Sequence, residues 1–160
     1  MKEIAVQPLT AEAFAPFGQV LEAVGDPDML INQGLCGRFH DRAVLQLGEG
    51  RAALSLFDAV PRDLPYVLDL MERHPLGSQA FLPMTQHPFL VTVAKDENGT
   101  PALPQAFLTA PGQGINIAAN VWHGVLTPLH APGLFAVVDR IGEGINLEEY
   151  TLLSPVLIVA

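Results

Sequence analysis

The sequence predicts an all-β fold, and three observations carry that prediction. Fourteen prolines and fourteen glycines are spread through 160 residues and cut the chain into short apolar segments. Turn chemistry bounds those segments, as it bounds strands. Long amphipathic helical patterns are nearly absent. The single helix expected opens after Thr10, a natural N-cap, and runs over Ala11–Ala15 before Pro16. Strands are expected over 20–24, 43–47 and 52–57, the last two joined by the turn Gly48-Glu49-Gly50. Further strands are expected over 67–73, 80–82, 89–95, 106–108, 114–117, 134–139 and 152–159. Asp96-Glu97-Asn98-Gly99-Thr100 reads as a turn closing the strand before it. Many short strands without a linker or repeat make residues 1–160 one domain. The architecture that fits is a double-stranded β-helix (jelly-roll) barrel with a short N-terminal helix. The tail from Pro155 to Ala160 is apolar to its end. It must be buried, in its own barrel or against a second subunit, and a homodimer is expected.

Composition narrows the function. Hydrophobic residues make up 49% of the chain, enough for one core at this length and too many for disorder. No apolar run approaches the roughly 18 residues of a membrane span. The opening Met1-Lys2-Glu3-Ile4 lacks the apolar core of a signal peptide, so a cytoplasmic location is expected. The lone Cys36 excludes an internal disulfide and reads as a small packed side chain. The formal net charge is −9, with Lys2 and Lys95 the only lysines. Nucleic acid and anionic membrane surfaces are therefore excluded as partners. A small anionic substrate is not, because one or two arginines in a pocket suffice.

The chemistry gathers in the segment Glu72-Arg73-His74-Pro75-Leu76-Gly77-Ser78-Gln79 and in Asn120-Val121-Trp122-His123. Glu72 and His74 are two apart, so a strand would present both on one face. Gln79 follows five residues later, and His123 comes from a distant strand. This is the skeleton of a cupin-type site, normally His-x-His, a short gap, a glutamate, and a later histidine. Here Glu72 takes the first histidine's place and Gln79 takes the glutamate's. His74 reads equally well as a turn-entry residue and His123 as a partner of Trp122. Both being incidental is less compatible with Glu72 and Gln79 at the matching offsets. A second polar patch runs from Asn32 through Arg38, His40 and Asp41. Arg38 is a credible carboxylate clamp there, while Asp41 pairing with Arg38 or His40 is the structural alternative. Asp139-Arg140 reads as a local ion pair, and His87 and His130 as surface histidines.

Taken together, these segments resemble the ureidoglycolate lyase (ureidoglycolate hydrolase) family of the cupin superfamily. The stretch from Glu72 through Met84, then Asn120 to His123, carries the resemblance. Asn32 through Asp41, the opening Pro8 to Gly18 and the late Asp139-Arg140 follow in the same order. The sequence departs from the family pattern at Thr85-Gln86-His87 and at Ala118-Ala119. The resemblance implies a cupin-type barrel, usually a homodimer, that splits ureidoglycolate into glyoxylate and urea in allantoin breakdown. It also implies a divalent metal, nickel, and no organic cofactor. Glu72, His74, Gln79 and His123 would be its ligands. Without a metal, one of His74 and His123 would be the base and the other, or Glu72, the acid. Arg38 or Arg73 would hold the substrate carboxylate, with Asn32, His40 and Gln79 completing the pocket. The alternatives are an amidohydrolase releasing ammonia from the same substrate and a non-catalytic cupin that binds a small acid.

Overall fold

The computed structural model describes residues 1–160. In chain order its elements are β1 (Lys2–Ala5), β2 (Gln7–Pro8), α1 (Ala11–Phe14), β3 (Gly18–Leu21), β4 (Met29–Ile31), β5 (Cys36–Arg38) and β6 (Arg51–Asp58). Then come β7 (Tyr66–Arg73), β8 (Gln79–Pro83), β9 (Phe89–Ala94), β10 (Asp96–Glu97), β11 (Thr100–Pro101), β12 (Gln105–Leu108) and β13 (Gly114–Ile117). The chain ends with β14 (Trp122–His123), β15 (Thr127–Pro128), β16 (Leu134–Ile141) and β17 (Glu148–Val159). The helix starts as its cap predicts, with the Thr10 hydroxyl accepting from the Ala13 amide at 3.1 Å. Asn98 and Gly99 both have positive φ, the geometry of the two-residue turn joining β10 to β11.

The strands form two main layers. The larger sheet runs β1-β17-β7-β14-β9-β12-β2, with β15 also paired to β9. Its two ends are successive pieces of one N-terminal segment, since β1 pairs with β17 and β2 with β12, both parallel. The N-terminus therefore straddles both edges and nearly closes the sheet into a barrel, which removes exposed edges. The smaller sheet runs β3-β13-β8-β16-β6 and covers one face of the larger. Between the layers lies a core that includes Phe14, Phe17, Phe81, Val91, Val93, Phe107, Ile117 and Val137. The other face of the larger sheet curls around a second core of Leu68, Met71, Ala94, Trp122, Val156 and Ile158. This all-β barrel with one four-residue helix is the cupin-type architecture expected. The apolar tail is buried in its own barrel, where Val156 and Ile158 are closed off by β7 and β1.

One expected strand is missing. Residues 43–47 are apolar at four of five positions yet form no ladder. Side chains take the bonds a neighbouring strand would have taken: Val44 donates to Gln19 Oε1 and accepts from Asn116 Nδ2, and Gln46 donates to Ser78 Oγ. The segment is strapped across the smaller sheet without joining it.

Candidate active site

β7 and β14 carry the first two polar groups of the site. His123 lies directly opposite Glu72 on one side and Val93 on the other. Directly paired residues share a face, and Val93 belongs to the core between the layers, so Glu72 and His123 look into the inter-sheet space. His74 follows one residue past the end of β7 and returns to the same face. Its carbonyl accepts the Asn120 amide at 2.8 Å, tying the exit of β7 to the entry of β14. Asn120 holds φ at +65° to make that turn, a conformation asparagine tolerates better than most residues.

The three side chains converge. Glu72 Oε1 is 3.6 Å from His123 Nε2 and 4.0 Å from His74 Nε2. The three ligand atoms all lie within 4.8 Å of one another. His123 is 3% exposed, while the side chains of Glu72 and His74 are 23% and 19% exposed, so the cluster opens to solvent past these two. The far nitrogens fix the tautomers. His74 Nδ1 faces the Asn146 carbonyl at 2.8 Å and His123 Nδ1 faces the Val121 carbonyl at 3.0 Å. A carbonyl oxygen only accepts, so each Nδ1 carries the hydrogen and each neutral ring turns a bare Nε2 lone pair inward. Both Nε2 atoms are buried without a hydrogen-bond partner. A proton on His123 Nε2 would be donated to the Glu72 carboxyl, which holds that carboxyl below its usual range against the opposing effect of burial, and the charges of protonated His123 and His74 add to the lowering. Three acceptors pointing at one spot repel unless a cation or a proton sits among them. Carboxylate and imidazole are suitable ligands for a divalent transition metal, and backbone carbonyls orient such imidazoles. The residues present fit a metal.

The other expected site residues separate. Gln79 stands on β8, opposite Ile117 and Asp139, and is 7% exposed with its amide oxygen unpartnered. Alternation with Phe81 turns it into the same inter-sheet space from the facing layer. Arg73 is not part of the cluster. It alternates with Glu72 to the opposite face, where it bonds Glu148 at 2.6 Å and Asp96 at 2.9 Å and lies 4.3 Å over the Trp122 ring. Its donors are committed there, so it does not face a substrate in the inter-sheet space. Arg38 ends β5 of the exposed β4–β5 hairpin, and its guanidinium bonds to nothing within the chain. Asn32 and His40 are exposed on the same excursion, and Asp28 rather than Asp41 organises it, bonding Arg42 and the His40 amide. Asp139 pairs with Gln79 and not with Arg140, whose guanidinium is held by the Leu47 and Glu143 carbonyls. Adjacent strand residues face opposite ways, which is why that ion pair does not form. His87 and His130 are exposed, as expected.

The family model described as ureidoglycolate lyase matches residues 1–159. The chain belongs to the ureidoglycolate lyase family. A ureidoglycolate lyase of Rhodobacter capsulatus is 63% identical over 159 residues, covering 99% of both chains. One from a Chelativorans species is 52% identical, with 97% of this chain and 95% of the relative covered. Ureidoglycolate lyase 2 of Rhizobium meliloti is 50% identical, with 97% and 96% covered. Family membership across the full length makes the Glu72, His74 and His123 cluster the candidate active site. Sequence reading missed the carbonyls of Val121 and Asn146, which no side-chain motif encodes. It also missed Asp139 as an inward residue, which the alternation from Phe135 and Val137 would have shown.

Proposed function

We propose that the chain is a ureidoglycolate lyase that cleaves its substrate into glyoxylate and urea. The observation carrying this reading is the convergence of Glu72 with two buried, partnerless histidine nitrogens in a chain related over its whole length to proteins of that name. Ureidoglycolate bears a hydroxyl, a carboxylate and a urea nitrogen on one carbon. Cleavage removes the hydroxyl proton, turns that C–O bond into a carbonyl, breaks the C–N bond and protonates the departing nitrogen. Glu72, His74 and His123 would hold a divalent ion, nickel by the family's implication, and its Lewis acidity would make the substrate hydroxyl easier to deprotonate. With both Nε2 atoms given to that ion and both Nδ1 hydrogens given to carbonyls, the second carboxylate oxygen of Glu72 would be the group that takes the hydroxyl proton and returns it to the leaving nitrogen. Gln79 meets the substrate from the facing sheet. Arg38, its guanidinium free, would hold the carboxylate, with Asn32 and His40 on the same excursion.

The working unit in this reading is a cytoplasmic homodimer. On the outer face of the smaller sheet Leu54 and Leu56 are 73% and 66% exposed. Ala136 lies between Leu56 and Leu82, and Val138 lies beside Leu54, which extends the patch across three strands. Such a surface suits a second copy.

Purified protein given ureidoglycolate tests the function. Glyoxylate and urea in equal amounts, lost on chelation and restored by nickel, are expected. Ammonia in place of urea would identify an amidohydrolase and overturn the lyase reading.

A further inference from the structure

The facing sheet carries a second polar pair in the same space. Gln79 and Asp139 are paired across β8 and β16, each two residues from a core side chain, Phe81 and Val137. Both therefore face inward. Gln79 Nε2 donates to Asp139 Oδ2 at 3.2 Å. Because a carboxylate oxygen accepts, this bond decides which end of the amide is which: nitrogen toward Asp139, oxygen away. That oxygen is buried and has no partner. An orphaned acceptor is costly, and a donor brought by a ligand removes the cost. Chain connectivity puts the pair at the triad's end of the layers. Gln79 is five residues beyond His74, and its opposite number Ile117 is six before His123.

We infer that Asp139 is a positioning residue: it holds the Gln79 amide so that Oε1 accepts an N–H of the substrate's ureido group. This deepens the lyase reading and rests on it. A ureido group is rich in N–H donors, and a simple α-hydroxy acid has none. A fixed inward acceptor therefore selects the substrate by its nitrogen end.

Two non-cleavable probes separate the possibilities. N-carbamoylglycine has the ureido group and carboxylate without the hydroxyl; glycolate has the hydroxyl and carboxylate without the ureido group. In Asp139→Asn the new amide both donates and accepts, so Gln79 is free to turn its NH2 inward. Calorimetry on the nickel-loaded protein should show N-carbamoylglycine weakened about tenfold, the scale of one lost hydrogen bond, and glycolate unchanged. The double variant Q79E/D139N restores an inward acceptor, since the amide introduced at position 139 donates to one oxygen of the new carboxylate and leaves the other facing inward. It should recover most of the loss. Equal weakening of both probes, no weakening of either, or no recovery in the folded double variant would overturn the inference. Nickel content per chain should be unchanged; its loss would make Oε1 a metal ligand and overturn the substrate role. Should D139N not fold, Gln79→Met keeps the volume, removes the amide and is expected to show the same selectivity. A wild type that binds neither probe would sink the lyase reading itself. A wild type that binds both, with D139N unaltered, would sink only the role of Asp139.

Discussion

Two consecutive residues at the end of β7 live in opposite electrostatic worlds. Arg73 faces Trp122 with its charge answered by Glu148 and Asp96, and Asp96 is itself bonded by the Trp122 indole and the Gly99 amide. Each of these partners is a donor meeting an acceptor. Glu72, one residue earlier, faces two histidine lone pairs that no donor in the chain satisfies. A complete polar network stiffens a fold, while an incomplete buried one costs stability and persists where something else completes it. The first face is scaffold and the second is the candidate site. The distinction is invisible in composition, since both faces are charged, and it emerges only from counting donors against acceptors.

The two faces differ most at His123. His123→Ala should lower kcat/KM by about a thousandfold or more, the scale of losing a group that positions and stabilises the reacting atoms. Its melting temperature should fall only modestly, because removing a partnerless acceptor offsets part of the cost of the cavity and of the freed Val121 carbonyl. A variant with near-native turnover would remove His123 from the chemistry.

A milder test reaches the site through its support. The Asn146 side chain accepts the Leu76 amide at 2.8 Å, which holds the Asn146 carbonyl against His74 Nδ1. Asn146→Ala should weaken nickel binding about tenfold, as loss of an orienting partner does elsewhere. Competition against a chromogenic chelator would read it.

On the opposite face the expected order reverses, with stability falling and chemistry spared. Arg73→Met removes the stack on Trp122 and should cost about 1–2 kcal/mol in urea unfolding. Its kcat/KM should stay within about threefold, and a hundredfold loss would place Arg73 in the reaction after all.

The smallest effect is one of pH. The Trp122 indole bond, helped by the Gly99 amide and by Arg73, holds the Asp96 carboxyl below its usual range. A carboxyl lowered on folding stabilises above its unfolded pKa and loses that contribution as pH falls through the folded value. The melting-temperature gap between wild type and Asp96→Asn should thus be present at pH 7 and close below about pH 4. A gap that widens in acid would contradict the assignment.

Much of this arrangement was legible in the sequence, for identifiable reasons. Alternation and turn residues placed Gly114–Ile117 with the bounds observed and most other strands within a few residues. The spacing of Glu72 and His74 already put them on one face. What could not be read was long-range register. Nothing local says that His123 pairs with Glu72, or that the N-terminal segment spans both edges of a sheet. Residues 43–47 misled because a short apolar run does not by itself report strand pairing, and side-chain bonds from Gln19, Asn116 and Ser78 can satisfy such a segment as well as a strand can. Adjacency misled at Asp139-Arg140, where the pleat sends the two charges to opposite faces. The β4–β5 hairpin went unseen because its turn depends on Asn32 and Gln33 in left-handed conformations, which their residue types permit without announcing.

The most direct measurement is a calorimetric titration of nickel(II) into chelator-stripped wild type, His123→Ala and Arg73→Met, side by side. One ion per chain in wild type and in Arg73→Met, with none in His123→Ala, is the result that an unsatisfied inner face and a satisfied opposite face predict. Unchanged binding by His123→Ala, or no binding by wild type, would contradict it.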